Sequence, residues 1–194
     1  MPFRYPVFLE LDGRRAVVIG ETAVREGKVE GLLASGAEVS VFENGAWTPG
    51  DLDGAFVVVA SSGDSAERAA IAREARARGA LVNVMDDVAN CDWAAPAIVR
   101  RGDLVLALST GGRSPALARR LREELAERFG SEWEEILEAV GEVRAETLES
   151  LPDLRERAER WRAALDIEEA EALARAGRTK ELRDRLRARL GARA

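Results

Sequence analysis

The chain has 194 residues, 46% of them apolar, a net charge of −6 and no histidine. That is enough for one good core plus an appendage, or for two small domains, and it is too apolar for a disordered chain. The acidic balance argues against nucleic-acid binding, the missing histidines remove the commonest metal ligand and general base, and a single cysteine, Cys91, excludes an internal disulfide framework.

The opening MPFRYPVFLEL has no apolar core followed by a small-residue cleavage site, so no signal peptide is expected. No apolar run reaches the roughly 20 residues that span a bilayer, and the lone cysteine fits a reducing cytoplasm. Residues 14–19, RRAVVI, read as a first strand ending at Gly20. A helix over 23–35 stops at Gly36, a C-terminal glycine. A second strand over 38–42 ends at Glu43, and the turn signals Asn44-Gly45 and Thr48-Pro49-Gly50 leave only a turn before the third strand at 55–60. A helix over 65–78 carries Ala69, Ala72 and Ala75 as a small-residue face. The strand run 82–85 ends at Asp86-Asp87, and the run 104–108 ends at Ser109-Thr110-Gly111-Gly112, after which Ser114-Pro115 opens a helix. Continuous apolar strands alternating with helices give an α/β fold with a parallel sheet covered on both faces.

After Pro115 the texture becomes helical. Leu117, Leu121, Leu125 and Phe129 recur at i, i+4 on an amphipathic helix, and Ser131-x-x-Glu134 reads as a capping box opening the next. That helix carries Trp133, Ile136, Leu137, Val140 and Val143 as its stripe, Leu151-Pro152 breaks it, and two or three more helices follow. The boundary falls near 113, giving domains 1–112 and 113–194. Residues 132–149 hold seven acids and one Arg, and residues 178–194 hold seven bases and two acids. The bland reading is solvated faces; the sharper one is complementary faces meeting across a homodimer. An RNA-binding basic tail is poorly supported, because no aromatic residues interleave with the charges.

Three stretches carry chemistry. Gly20-Glu21-Thr22-Ala23-Val24-Arg25 keeps only the first glycine of a G-x-G-x-x-G/A dinucleotide turn, yet Glu43 lies 23 residues on, about where a ribose acid belongs. The rival reading is an ordinary strand–helix turn. Asp86-Asp87 is either a capping turn or a useful carboxylate at a strand end. The turn Thr110-Gly111-Gly112-Arg113-Ser114-Pro115 frees backbone N–H groups at a helix start, with Arg100, Arg101, Arg119 and Arg120 nearby. It is either an anion site for a phosphate or polycarboxylate, or a capped helix without a ligand.

The segments Asn83-Val-Met-Asp-Asp, Cys91-Asp, Pro96-Ala-Ile-Val-Arg-Arg-Gly-Asp-Leu and Ser109-Thr-Gly-Gly-Arg-Ser-Pro-Ala-Leu-Ala-Arg-Arg-Leu-Arg, with the opening Tyr5-Pro-Val-Phe-Leu-Glu-Leu-Asp-Gly-Arg, resemble the precorrin-2 dehydrogenase family, the dehydrogenase–chelatase module of sirohaem synthase. The resemblance implies a Rossmann-like domain, a dimerisation segment and a helical C-terminal part. It also implies NAD as cofactor, oxidation of precorrin-2 to sirohydrochlorin, a homodimer, and in some members metal insertion. The family's key aspartate falls on Asp86. The cofactor is expected over Gly20, Thr22, Ala23 and Val24, with Glu43 or Asn44 at its ribose and Ser61-Ser62 along the nicotinamide. The tetrapyrrole is expected on Asn83, Thr110, Gly111, Gly112, Arg113 and Ser114; no resident metal, membrane or nucleic acid is expected. Two departures fall in the cofactor half: the glycine loop is altered, and the segment between the second and third strands is roughly 20 residues shorter than the family pattern. Against oxidation stand two alternatives: a non-catalytic tetrapyrrole-binding relative and a chelatase that no longer oxidises.

Overall fold

The computed structural model describes residues 5–191, apart from the side chains of residues 22–26 and residue 149. Its contacts divide the chain into Met1–Ala95 and Pro96–Ala194. The hairpin that precedes residue 112 thus groups with the helices that follow it.

In the first unit, β1 (Arg15–Ile19) leads through α1 (Thr22–Leu33) to β2 (Glu38–Phe42). A 3-10 turn, Pro49–Leu52, precedes β3 (Val57–Ala60), α2 (Ser65–Ala77) and β4 (Leu81–Val84). All pairings are parallel, in the order β2-β1-β3-β4. The chain steps to one side of β1 and then to the other, so the sheet has a switch point between β1 and β3, where open α/β sheets bind ligands. The Val-rich strands are apolar on both faces because both faces are covered. Val17, Ile19, Val58, Ala60, Val82 and Val84 pack with Ile71, Ala72 and Ala75 of α2, while Ala16, Val18, Val57 and Val59 pack with Leu32 of α1. Ala69, assigned by its spacing to the packed face of α2, is exposed; Ile71 takes its place because the sheet contacts lie at i, i+1 and i+4.

The short segment between β2 and β3 is more than the turn expected of it. Leu52 in its 3-10 turn is fully buried in the α2-side core, joined there by the partly buried Trp47. The Arg15 guanidinium donates to the carbonyls of Asp51 and Asp53 and ties this turn to the start of β1.

In the second unit, β5 (Ala97–Arg101) and β6 (Leu104–Leu108) form an antiparallel hairpin around Gly102-Asp103. This corrects the placement of 104–108 in the parallel sheet. A two-residue Gly-x loop, with Gly102 at φ 54°, returns the chain at once onto its own preceding strand. The helices are α3 (Pro115–Arg128), α4 (Glu132–Ser150), α5 (Leu154–Ala164), α6 (Ile167–Arg175) and α7 (Thr179–Leu190). Ile136, Ala139 and Val143 of α4 pack with Leu173 of α6 and with Leu182, Leu186 and Leu190 of α7. Leu137 is instead 36% exposed, and Ala139 fills the core position. The capping box at Ser131 does not form: Ser131 is already helical (φ −64°, ψ −25°) and caps nothing with its side chain. Helix α3 forms as predicted but buries none of its residues, and Leu117 and Leu121 remain 50% and 38% exposed.

The split charges of this unit meet within the chain. Arg187 pairs with Glu146 at 2.7 Å and Arg183 with Glu142 at 3.3 Å, linking α7 to α4, and Arg175 of α6 pairs with Glu132 at 2.6 Å. These half-exposed pairs join α4 to α6 and α7 within one chain.

Candidate functional site

The four parallel strands of the first unit end around one cavity of about 400 Å³, lined by Glu21, Asn44, Ser61, Ser62, Gly63, Arg68, Met85 and Asp86. Each wall follows from a strand end. Gly20 donates to the carbonyl of Phe42, and Ser61 donates to that of Ile19, so the turns after β1, β2 and β3 are laced together. A Cβ on Gly20 would stand 3.2 Å from the Ser61 carbonyl oxygen; that close approach is the reason for glycine here.

Helix α1 starts beside the cavity. Its N-cap, Glu21, is extended and caps no backbone N–H with its side chain. A helix start that its own N-cap side chain does not close is the arrangement that binds phosphates. The side chains of Thr22, Ala23 and Val24 lie outside the described residues. Asn44 contributes a buried Oδ1 that has no hydrogen-bond partner among the described residues. A buried acceptor without a donor costs free energy, and a ribose hydroxyl or an amino group would relieve it. The close-packed Gly20 turn, the uncapped helix start and the Asn44 acceptor together fit a dinucleotide. Glu43, at the end of β2, is exposed.

The two adjacent aspartates have different circumstances. Asp87 accepts from Asn90 at 3.0 Å and from Arg68 at 3.1 Å, and these bonds hold its carboxyl below the usual range. Asp86 faces the cavity, exposed, with no hydrogen bond or ion pair among the described residues. It is also the one non-glycine among them with positive φ, at 59°. A left-handed residue turns the chain sharply, so successive side chains diverge: one carboxylate is built into the framework and the other is presented to the cavity.

Arg68, unnoticed in the sequence, donates to the Ser62 carbonyl at 2.7 Å as well as to Asp87, and so joins the turns after β3 and β4. A cation in the first turn of a helix opposes the helix dipole, and that is the signal that could have flagged it. Gly63 and Met85 also line the cavity without a signal in the sequence, while Glu21 stands at it as a member of the altered glycine loop.

Asn83 lies just below the cavity turn in β4. It is 9% exposed and its amide donates to the Trp93 carbonyl at 2.8 Å. Cys91 sits beside it, its thiol donating to the Val84 carbonyl at 3.0 Å, and burial pushes that thiol's pKa up.

The Thr110 turn belongs to the second unit. Gly111 and Gly112 are both left-handed, at φ 62° and 75°. The Thr110 hydroxyl donates to the Ser114 carbonyl and accepts from the Ser114 N–H, while the Ser114 hydroxyl caps α3 by accepting from Leu117 N–H. Of the neighbouring arginines, Arg119 and Arg120 pair with Glu123 and Glu124, and Arg101 donates to the Ala126 carbonyl. Arg113 and Arg100 are exposed and carry no ion pair among the described residues. Among the described residues no helix is long and apolar enough to cross a membrane.

Comparison with known proteins bears on both units. A family described as putative NAD(P)-binding matches residues 7–97, and one described as sirohaem biosynthesis protein, central, matches residues 101–128. A siroheme synthase 1 of Serratia proteamaculans is 32% identical over 175 residues, covering 80% of this chain and 37% of that protein. A siroheme synthase of Pseudomonas paraeruginosa is 34% identical over 206 residues, covering 95% of this chain and 44% of that protein. The chain thus spans about two fifths of the length of the curated relatives it matches. Among solved structures, "SirC, precorrin-2 dehydrogenase" superposes with a TM-score of 0.72 at 21% identity, covering 95% of this chain and all of that one, so the two share a fold.

Proposed function

The chain belongs to the sirohaem synthase/precorrin-2 dehydrogenase family, and on that footing we propose that it oxidises precorrin-2 to sirohydrochlorin with NAD as the electron acceptor. The observation that carries the proposal is Asp86: a carboxylate held by a left-handed turn in the wall of the strand-end cavity, with no partner among the described residues.

NAD, when bound, supplies the hydride acceptor. The residues that would hold it are Gly20 and the start of α1 at the pyrophosphate, Glu43 and Asn44 at the ribose, and Ser61 and Ser62 toward the nicotinamide. The oxidation removes a hydride and a proton from the substrate, so a base must take the proton as the hydride departs. Asp86 is that base: it is exposed to the cavity and has no bond to break first. Arg68, bonded to the Ser62 carbonyl and Asp87, holds the turns that flank it.

We further assign Thr110, Gly111, Gly112, Arg113 and Ser114 to the carboxylate-bearing substrate. Support comes from the exposed Arg113, which carries no ion pair among the described residues, beside a turn whose two left-handed glycines leave no side chain in the way. A homodimer is supported by the uncovered Leu117 and Leu121 on α3 and by Ile98 on β5, 43% exposed. The first unit would form the cofactor domain and the second, which takes in the hairpin before residue 112, the dimerisation and helical part, working in the cytoplasm.

The test is anaerobic incubation of precorrin-2 with NAD, followed by sirohydrochlorin absorbance. Turnover abolished in Asp86→Ala supports the reading. A folded protein that gives no turnover at saturating NAD overturns it and leaves tetrapyrrole binding without oxidation as the better account.

A further inference from the structure

We propose that Glu67 sets the choice between NAD and NADP, its carboxylate occupying as a built-in anion the donors that a 2′-phosphate would need. The proposal rests on the dinucleotide reading of the cavity and deepens it.

One Glu67 oxygen accepts from the Gly45 backbone N–H at 2.7 Å and from the Trp47 indole N–H at 3.0 Å; the other accepts from the Ser62 hydroxyl at 2.6 Å. Three donors from two chain segments thus converge on one carboxylate. Gly45 directly follows Asn44, and both Asn44 and Ser62 line the cavity. Glu67 therefore stands in the wall between the ends of β2 and β3. In a doubly wound sheet the adenosine ribose lies at the end of the second strand, so this wall is what a 2′-substituent meets.

A backbone N–H in a left-handed glycine turn (Gly45 φ 73°), an indole N–H and a hydroxyl are together a set of donors for phosphate oxygens. Here they are saturated from within. Burial raises the Glu67 pKa, but the bonds from Ser62, Gly45 and Trp47 outweigh it and hold the carboxyl below the ordinary glutamate range, so the side chain is charged at neutral pH. Its place in the first turn of α2 adds the favourable end of the helix dipole. Arg68 is already engaged with Ser62 and Asp87. A 2′-hydroxyl is neutral and meets no repulsion at such a wall. A 2′-phosphate brings a charge of about −2 against a fixed carboxylate, with the matching donors already engaged.

The test is direct titration of the intact chain with NADH and NADPH, for wild type, Glu67→Gln and Glu67→Ala, with folding checked by circular dichroism. Wild type is expected to favour NADH by roughly tenfold or more. Glu67→Gln keeps the bulk and an acceptor but removes the charge; it is expected to shift the ratio by about tenfold toward NADPH. In Glu67→Ala the vacated donors should also bind inorganic phosphate, seen as competition with NADPH. Glu67→Asp keeps the charge and should keep the NADH preference. Asp51→Asn is the control for a structural effect alone: Asp51 bonds Thr48 within the same connection but does not line the cavity, so its loss should lower stability without moving the ratio. An unchanged ratio in folded Glu67→Gln and Glu67→Ala that still bind NADH overturns the assignment and leaves the cofactor reading intact. A wild type that binds neither nucleotide overturns the cofactor reading itself.

Discussion

Replacing Asp86 by Asn removes a charge while changing almost nothing else, and the consequences divide between activity and stability. The carboxylate makes no hydrogen bond or ion pair among the described residues, so no contact energy is lost with it. Asn also tolerates the left-handed conformation at φ 59°. Stability should therefore stay within about 0.5 kcal/mol of wild type, the range of ordinary surface substitutions. Turnover should fall by roughly 10² to 10⁴, the usual contribution of a positioned base. Asp86→Gly sharpens the argument. It relieves a left-handed strain of about 1 kcal/mol but frees the unfolded chain by a similar amount, so it should be neutral to slightly stabilising while equally inactive. The assays are anaerobic precorrin-2 oxidation, NADH binding as a check on the site, and thermal or urea unfolding. Turnover of Asp86→Asn within about threefold of wild type would refute the base assignment. A large loss of stability would refute the reading of Asp86 as an unbonded residue.

Asp87→Asn should show the opposite pattern, costing about 1 kcal/mol through its bonds to Arg68 and Asn90, with turnover reduced far less than in Asp86→Asn. Leu52→Ala should destabilise by about 2–5 kcal/mol in urea unfolding, because a fully buried leucine anchors the segment between β2 and β3. Gly20→Ala places a methyl 3.2 Å from the Ser61 carbonyl oxygen and should weaken NADH binding more than it lowers stability. The pH dependence follows from Glu146, whose pKa is lowered by the hydrogen bond from Arg187. A lowered folded-state pKa gives stability that is present above the unfolded value of about 4.3 and is lost as pH falls through the folded one. The excess stability of wild type over Glu146→Leu in urea unfolding should therefore be present at neutral pH and shrink as pH falls through the Glu146 titration.

The parallel sheet was legible because Val-rich runs ending in glycine or carboxylate admit little else; Asp86 could be noticed at its strand end, whereas Asn44, Ser61 and Ser62 were placed only by the family resemblance. Their assembly around one cavity follows from the β2-β1-β3-β4 order. The β5–β6 hairpin escaped notice because an apolar run of five looks the same in a parallel sheet as in a hairpin; the Gly102-Asp103 pair was the cue that separates them. Which of the two aspartates faces the cavity depends on a single φ angle, which no pattern of side chains encodes. The three bonds that converge on Glu67 join positions up to 22 residues apart, and periodicity carries no trace of such a knot. The ionic ladder between α4 and α7 could be suspected from the charge blocks, but its partners could not: the acids and bases face one another inside one chain.

The brevity of the β2–β3 connection bears on solubility. With the 3-10 turn plugging the core, no further strand lies beyond β2 among the described residues, and β2 forms one border of the four-stranded sheet. A border strand offers a row of backbone donors and acceptors to any extended segment that drifts alongside, including the same strand of another molecule. Strand β2 is only five residues long, with Glu38 at its first position and Glu43 just after its last. Short length and like charges at both ends make such pairing self-repelling, so these acids act as gatekeepers against fibrous association. A Glu38→Val chain would fold the same sheet and yet leave solution more readily.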